Sequence, residues 1–338
     1  RPFSIRPTAD GRGFYVTDWG FSGWLQNKKA GRIYKVTYVK DDVKPAPRGK
    51  DTDSIEDLIK ALDHPAYTER LRAQRALRAK GEDAAAAVAR AWKDGKLSAR
   101  ARERAVWLLD LAPATVWDDA SRAATKDVDA GVRLEAVRAL GLKPPSLIRS
   151  ESGRTAMNAP PYSTLMDVLS RDPDPRVRLQ AAALVSQCGD VGPDVLLFLA
   201  REQDHAVRFE LVRGIKRSQD WESVSKSDAY ADAVKAKGPA LDGLFWALAD
   251  EYDPAAVAIL AKLAKHDDPA VRVKAVADLA RVYRDRKPYA GGWWGTQPAA
   301  HGPPPREVDW EGTPAVREAV LAALSDKDAE VRKAAGLG

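Results

Sequence analysis

One short pattern, Asp-x-x-Val-Arg, recurs five times, at Asp129–Arg133, Asp174–Arg178, Asp204–Arg208, Asp268–Arg272 and Asp328–Arg332. An acid and a guanidinium four residues apart could share a proton around a substrate, or they could satisfy the backbone and each other. The surrounding residues favour the second use. An Asp at a helix entrance accepts hydrogen bonds from unpaired N–H groups, worth ~1 kcal/mol, and its charge suits the positive end of the helix. Pro175 and Pro269 follow where a missing N–H costs nothing. The Val and the later Ala and Leu positions fall on one helical face. The Arg, one turn in, is placed to lean back toward the Asp of its own or a neighbouring copy. The ten residues therefore predict a structural Asp/Arg ladder along a stack of repeats.

The remaining reactive side chains form no constellation. His64, His205 and His266 stand beside Asp63, Asp204 and Asp267, about whole repeats apart and without metal-ligand spacing, which predicts turn and capping roles; His301 is the fourth histidine. Cys188 is the single cysteine and ends an apolar run, so it reads as a small buried hydrophobe. The sequence has no His-Glu-x-x-His, no Gly-x-Ser-x-Gly and no phosphate loop, and Gly11-Arg12-Gly13 is too little for a nucleotide site. No catalytic and no metal residue is assigned.

Two looser copies of the pattern precede the five, with Arg102 four residues after Ser98 and Arg70 in Tyr67–Ala73, and a degenerate copy near Ala240–Trp246 lacks the Arg. The Arg-to-Arg steps are 32, 31, 45, 30, 64 and 60 residues, which gives a base period near 31. A second helix is expected after each copy, over 84–92, 114–124, 164–170, 193–201, 227–236, 254–265 and 314–324. A helix pair at this period, with Asp or Pro at the entrance and Val-Arg inside, resembles the HEAT family, and most of all the short HEAT-like repeat first noted in phycobilin lyases. The resemblance implies an all-α solenoid of about seven to eight helix pairs over 55–338.

Long loops are expected within three of the pairs, at 143–163, 218–226 and 285–313, all on one edge of the array, where a partner surface belongs. The last is the most distinctive. It carries Tyr289, Trp293, Trp294, Arg306 and Trp310, the candidate partner-binding residues, in a Gly/Pro-rich segment. Its aromatics either plug onto the repeats or form a recognition surface for another domain or a sugar.

The first fifty residues differ in kind. Gly13–Trp19 and Gly31–Val39 have strand patterns, Ala9-Asp10-Gly11 forms a turn before the first, and residues 41–54 read as a linker. Two strands alone are marginal in water, so the segment 1–40 is expected to close a sheet domain whose body lies elsewhere. The Thr-Asp-Trp hairpin resembles the last blade of the β-propeller in soluble glucose/sorbosone-type dehydrogenases. Together with the repeats and the Gly-Gly-Trp-Trp-Gly-Thr loop, it is similar to the large exported proteins of planctomycete-type bacteria called membrane-bound dehydrogenases. That resemblance implies a periplasmic or exported parent chain, truncated here at both ends, with a c-type haem or a quinone elsewhere in it. No cofactor is assigned within this segment, which has no Cys-x-x-Cys-His. Asp18 is read as a strand-end residue rather than part of a propeller rim.

Charge sharpens the choice of partner. Residues 1–50 hold eleven Lys/Arg against four Asp/Glu, and the rest of the chain holds 43 against 44. The helical part is thus balanced, which argues against nucleic acid, whose binding needs a basic surface. No apolar run approaches the ~18 residues of a membrane helix. The leading reading is a non-catalytic interaction scaffold whose partners are protein domains of its own parent chain. The alternatives are a part of an enzyme oxidising sugars or alcohols, with Trp293 and Trp294 at the substrate entrance, and a HEAT-like nucleic-acid binder.

Overall fold

The computed structural model describes residues 2–8, 12–19, 31–40, 47–109, 111, 120, 122–141, 162–187, 192–287 and 306–336. The chain is mostly helical with a small N-terminal sheet, and it divides into two compact units, 1–144 and 145–338.

In the first unit, strands β1 (Pro2–Pro7), β2 (Gly13–Trp19) and β3 (Gly31–Thr37) form an antiparallel sheet in that order. The β2 and β3 patterns are as expected from sequence. Strand β1 is an addition: its two prolines hide it, because Pro donates nothing to a ladder and is tolerated only at an edge. Thr8 closes the turn into β2, its hydroxyl donating to Gly13 O at 3.0 Å and accepting from Gly13 N at 2.9 Å. A Cβ on Gly13 would lie 2.1 Å from Val36 O, so only glycine fits there.

Helices Ile55–Ala61, Tyr67–Ala79, Gly81–Lys93, Ala99–Leu109 and Ala130–Leu140 follow the sheet. The segment before them is tied down at its end. Arg48 Nε and Gly49 N both donate to the carboxylate of Glu69 at 3.1 Å, and Pro47 O lies 3.1 Å from His64 Nε2. Glu69 is only 2% exposed. Burial works to raise its pKa, but the bonds from Arg72, Arg48 and Gly49 N win and hold it below the usual range.

The second unit contains Tyr162–Arg171, Pro175–Gln187, Val195–Leu199, His205–Ser218, Trp221–Lys226, Asp228–Ala236, Pro239–Leu248, Pro254–Leu263, Pro269–Arg281, Thr313–Ala323 and Ala329–Gly336. The pentad-bearing helices lie side by side. Pro175–Gln187 packs on His205–Ser218, which packs on Pro239–Leu248, then Pro269–Arg281, then Ala329–Gly336. In the first unit Tyr67–Ala79 packs on Ala99–Leu109, which packs on Ala130–Leu140. The alternate helices form a second layer, as where Pro254–Leu263 packs on Thr313–Ala323. The pentad valines face the core: Val132, Val177, Val207 and Val331 are 0% exposed and Val271 is 6% exposed. With Ala181 and Val185 following Val177, the buried residues make a stripe at helical spacing.

Two of the expected loops contain regular structure. Residues 218–226 hold a short helix, Trp221–Lys226, because Asp220 accepts from Ser223 N at 3.1 Å and Trp221 and Val224 are buried three residues apart. The 285–313 segment starts and ends in an antiparallel ribbon pairing Asp285–Lys287 with Arg306–Val308. Loop 143–163 falls mainly outside the described residues, as does Cys188.

Candidate functional site

Among the described residues, the junctions between pentad helices hold the most regular set of charged contacts. Each cap Asp does what its position predicts. Asp129 accepts from Gly131 N and Val132 N, Asp204 from Ala206 N and Val207 N, Asp268 from Ala270 N, Asp174 from Arg176 N, and Asp328 from Glu330 N.

The Arg four residues on has two separate bonding edges. Its Nη1 donates to carbonyls of its own entrance loop: Arg178 to Asp172 O at 2.8 Å and Pro173 O at 3.1 Å, Arg272 to His266 O and Asp267 O at 2.9 Å each. Arg133 and Arg332 repeat this, and so does Arg70, with His64 O at 2.7 Å and Pro65 O at 2.8 Å. The other edge, Nε and Nη2, grips a carboxylate of the next copy in a two-pronged bond. Arg102 holds Asp127 at 2.7 and 2.9 Å, Arg178 holds Glu202 at 2.8 and 2.9 Å, and Arg272 holds Asp326 at 2.9 Å twice. The expected ladder is therefore displaced: these arginines bond not the cap Asp but the acid two residues before the next cap.

That acid has a second duty, accepting the N–H of the cap residue itself: Asp129 N to Asp127 at 2.9 Å, Asp204 N to Glu202 at 2.8 Å, Asp328 N to Asp326 at 2.8 Å. Burial tends to raise the Glu202 pKa, but Arg178 and the two backbone donors hold it below the usual range. His64 and His266 occupy the same position, their Nδ1 accepting from Ala66 N at 3.1 Å and Asp268 N at 3.0 Å. A ring nitrogen that accepts carries no proton, so these rings are Nε2–H tautomers and His64 donates to Pro47 O. His205 differs: its ring packs at a tilt against Trp246, with ring centroids 5.6 Å apart.

Three junctions depart from the relay. At the degenerate copy Asp242 stands where the Arg would be, and Lys274 of the following pentad helix bonds it at 2.6 Å. Arg208 meets Ala236 rather than an acid two residues before Gly238, and its Nη2 donates to Pro239 O at 3.0 Å. Arg70 meets Lys96, which pairs with Asp94 at 2.9 Å. The Nε of Arg70 is buried without a hydrogen-bond partner.

Of the residues expected to meet a partner, Tyr289, Trp293 and Trp294 lie outside the described residues. Arg306 is exposed on the ribbon. Trp310 is placed as packing: its indole N–H donates to Val282 O at 2.8 Å, its ring meets Tyr252 edge-on at 5.6 Å, and a Cβ on Gly312 would clash with it at 2.2 Å. Four residues before Val282, the pKa of Asp278 is pushed up to about 6, first by burial, with Asp250 adding and Arg281 and Lys274 opposing. Among the described residues no group of three or more His, Cys, Asp or Glu could hold a metal ion, and no helix is long and apolar enough to cross a membrane.

No family model matches the chain, and no curated protein matches it. Among solved structures, it is similar to an engineered protein at 20% identity, covering 83% of this chain and 66% of that one, with a TM-score of 0.34. A second engineered protein matches at 19% identity over 84% of this chain and 96% of that one, with a TM-score of 0.25. A human deoxyhypusine hydroxylase solved with glycerol matches at 18% over 84% and 93%, with a TM-score of 0.28. At these scores the likenesses carry no argument, and the helical fold rests on the packing described above.

Proposed function

We propose that the chain is a non-catalytic interaction scaffold within a larger exported dehydrogenase/cytochrome-type protein, binding protein domains of its own parent chain. The observation that carries this is the bare sheet. Residues facing each other across its three strands put Ile5, Pro7, Phe14, Val16, Tyr34 and Val36 on one face. Ile5 is 62% exposed and Val36 44%. A continuous apolar face of this kind marks a contact surface, and the dehydrogenase propeller suggested by the Thr-Asp-Trp hairpin is its proposed occupant. The cap acids and the arginines of the closed junctions are already engaged with the backbone and with each other, which supports a holding role over acid/base chemistry. On this reading the oxidation of a sugar or alcohol, with its haem or quinone, belongs to the rest of the parent.

The test mixes the chain with the purified dehydrogenase propeller of the same organism. The reading expects a complex in sedimentation, slowed amide exchange across 13–19 and 31–37, and loss of both in Tyr34→Asp/Val36→Asp. Unchanged exchange in the mixture, or dye-linked oxidation of sugars by the chain alone, contradicts it.

A further inference from the structure

The first pentad helix breaks the relay in a way that leaves a binding site. Arg70 is anchored like its counterparts, with Nη1 on His64 O and Pro65 O, so its Nε/Nη2 edge faces the neighbouring pentad helix Ala99–Leu109 as theirs do. In Arg102, Arg178 and Arg272 that edge holds an Asp or Glu. Here the equivalent residue is Lys96, and the Arg70 Nε has no partner.

A second guanidinium, Arg104, shares the Tyr67 ring with Arg70, and Arg100 lies within electrostatic range of Arg70. Arg100 and Arg104 both depress the Arg70 pKa electrostatically, after burial itself. The Arg104 guanidinium lies 5.1 Å from the centre of the Tyr67 ring and that of Arg70 5.7 Å. The carboxylates felt by Arg70 are Asp63 and Glu103. Asp63 is occupied by the Ser98 hydroxyl at 2.6 Å, and Glu103 lies over Gly131. Neither forms an ion pair with Arg70, Arg100 or Arg104 among the described residues.

We infer that Arg70 and Arg104, both against the Tyr67 ring, with Arg100 nearby, form an acceptor site for an aspartate or glutamate side chain from another polypeptide segment. The choice of ligand follows from the other junctions, where the same edge in the same anchoring takes a carboxylate with both prongs. A planar, two-pronged acceptor suits that geometry, and converging like charges raise the attraction for an anion. The inference rests on the scaffold reading and deepens it by naming a partner chemistry.

The probe is a fluorescein-labelled hexaglutamate peptide, titrated with the whole chain at low salt and followed by anisotropy, with hexalysine as control. Saturable hexaglutamate binding is expected, weakened roughly tenfold, about 1.4 kcal/mol, by Arg104→Gln, and altered less than about twofold by Arg75→Gln on the helix that carries Arg70. Among the described residues Arg104 makes no hydrogen bond, so its loss does not threaten folding. Lys96→Glu supplies an internal carboxylate and abolishes binding while leaving every arginine in place. Absence of binding, equal binding by Arg104→Gln and wild type, or competition by equimolar inorganic phosphate overturns the carboxylate assignment. If the peptide fails while the sheet is still protected in the propeller mixture, the site alone is removed and the scaffold reading stands.

Discussion

The junction Arg178–Glu202 and the junction Arg70–Lys96 start from the same anchoring and end differently. In both, Nη1 is fixed on two carbonyls of the entrance loop. In the first, the free edge meets Glu202, only 6% exposed at its side chain, which also satisfies the next cap. In the second, the next copy offers a lysine, and two more arginines crowd in. The difference teaches that the Arg, where a copy has one, first serves its own loop, while the residue two before the next cap decides whether a junction is closed internally or left to accept something from outside.

Breaking the closed junction has the largest expected effect. Arg178→Ala leaves a buried carboxylate uncompensated and costs about 3 kcal/mol, measured by urea unfolding of the whole chain. Arg178→Met/Glu202→Leu, with apolar groups of similar size, regains only part of that loss, because Gln203 N and Asp204 N lose the carboxylate that accepts them. Arg70→Gln, by contrast, changes stability by less than ~1 kcal/mol, since relief of like-charge crowding offsets two lost bonds to carbonyls. A loss at Arg70 as large as that at Arg178 would show that the closing carboxylate matters little. Closing the open junction with Lys96→Glu gains up to about 1 kcal/mol, kept small by solvent screening at the exposed Lys96.

Acid titration sharpens the contrast. Glu202 and Glu69 are held below their ordinary values, so their stabilising contribution is complete above about pH 4.5 and is lost as pH falls through their lowered pKa. Asp278 acts in the opposite sense. With a folded value of about 6 against an ordinary 3.8, it binds a proton more tightly when folded, so stability falls as pH rises from about 4 to 6 and stays lower above. Asp278→Asn is therefore expected to stabilise the chain by about 1–2 kcal/mol at pH 7.5 and to have little effect at pH 4, read from paired melting curves.

Much of this was legible in the residues. The pentads, the strands at Gly13 and Gly31, and the alternate helices apart from the one expected over 114–124, which lies mainly outside the described residues, follow from local pattern, because caps, prolines and apolar spacing act within one turn or one strand. The closing carboxylate was not, since Arg102 and Asp127 are 25 residues apart and Arg272 and Asp326 are 54 apart. A signal was present: Asp127, Asp172, Glu202 and Asp326, with His64 and His266, all stand two residues before a cap. The short helix at Trp221 was missed because its six residues give too little periodicity to see. From sequence Trp310 is a candidate partner-binding residue in a loop that either plugs onto the repeats or meets a partner; its packing on Tyr252 and Val282 depends on residues 58 and 28 positions away, beyond the reach of local pattern.

A double-mutant cycle on Arg178 and Glu202, using Arg178→Ala, Glu202→Ala and the pair, measures the relay most directly. A coupling of about 2 kcal/mol is expected for a two-pronged, mostly buried pair. Coupling within about 0.3 kcal/mol of zero would mean that each copy stands by its own cap and that the Arg-to-acid bond does not join one copy to the next.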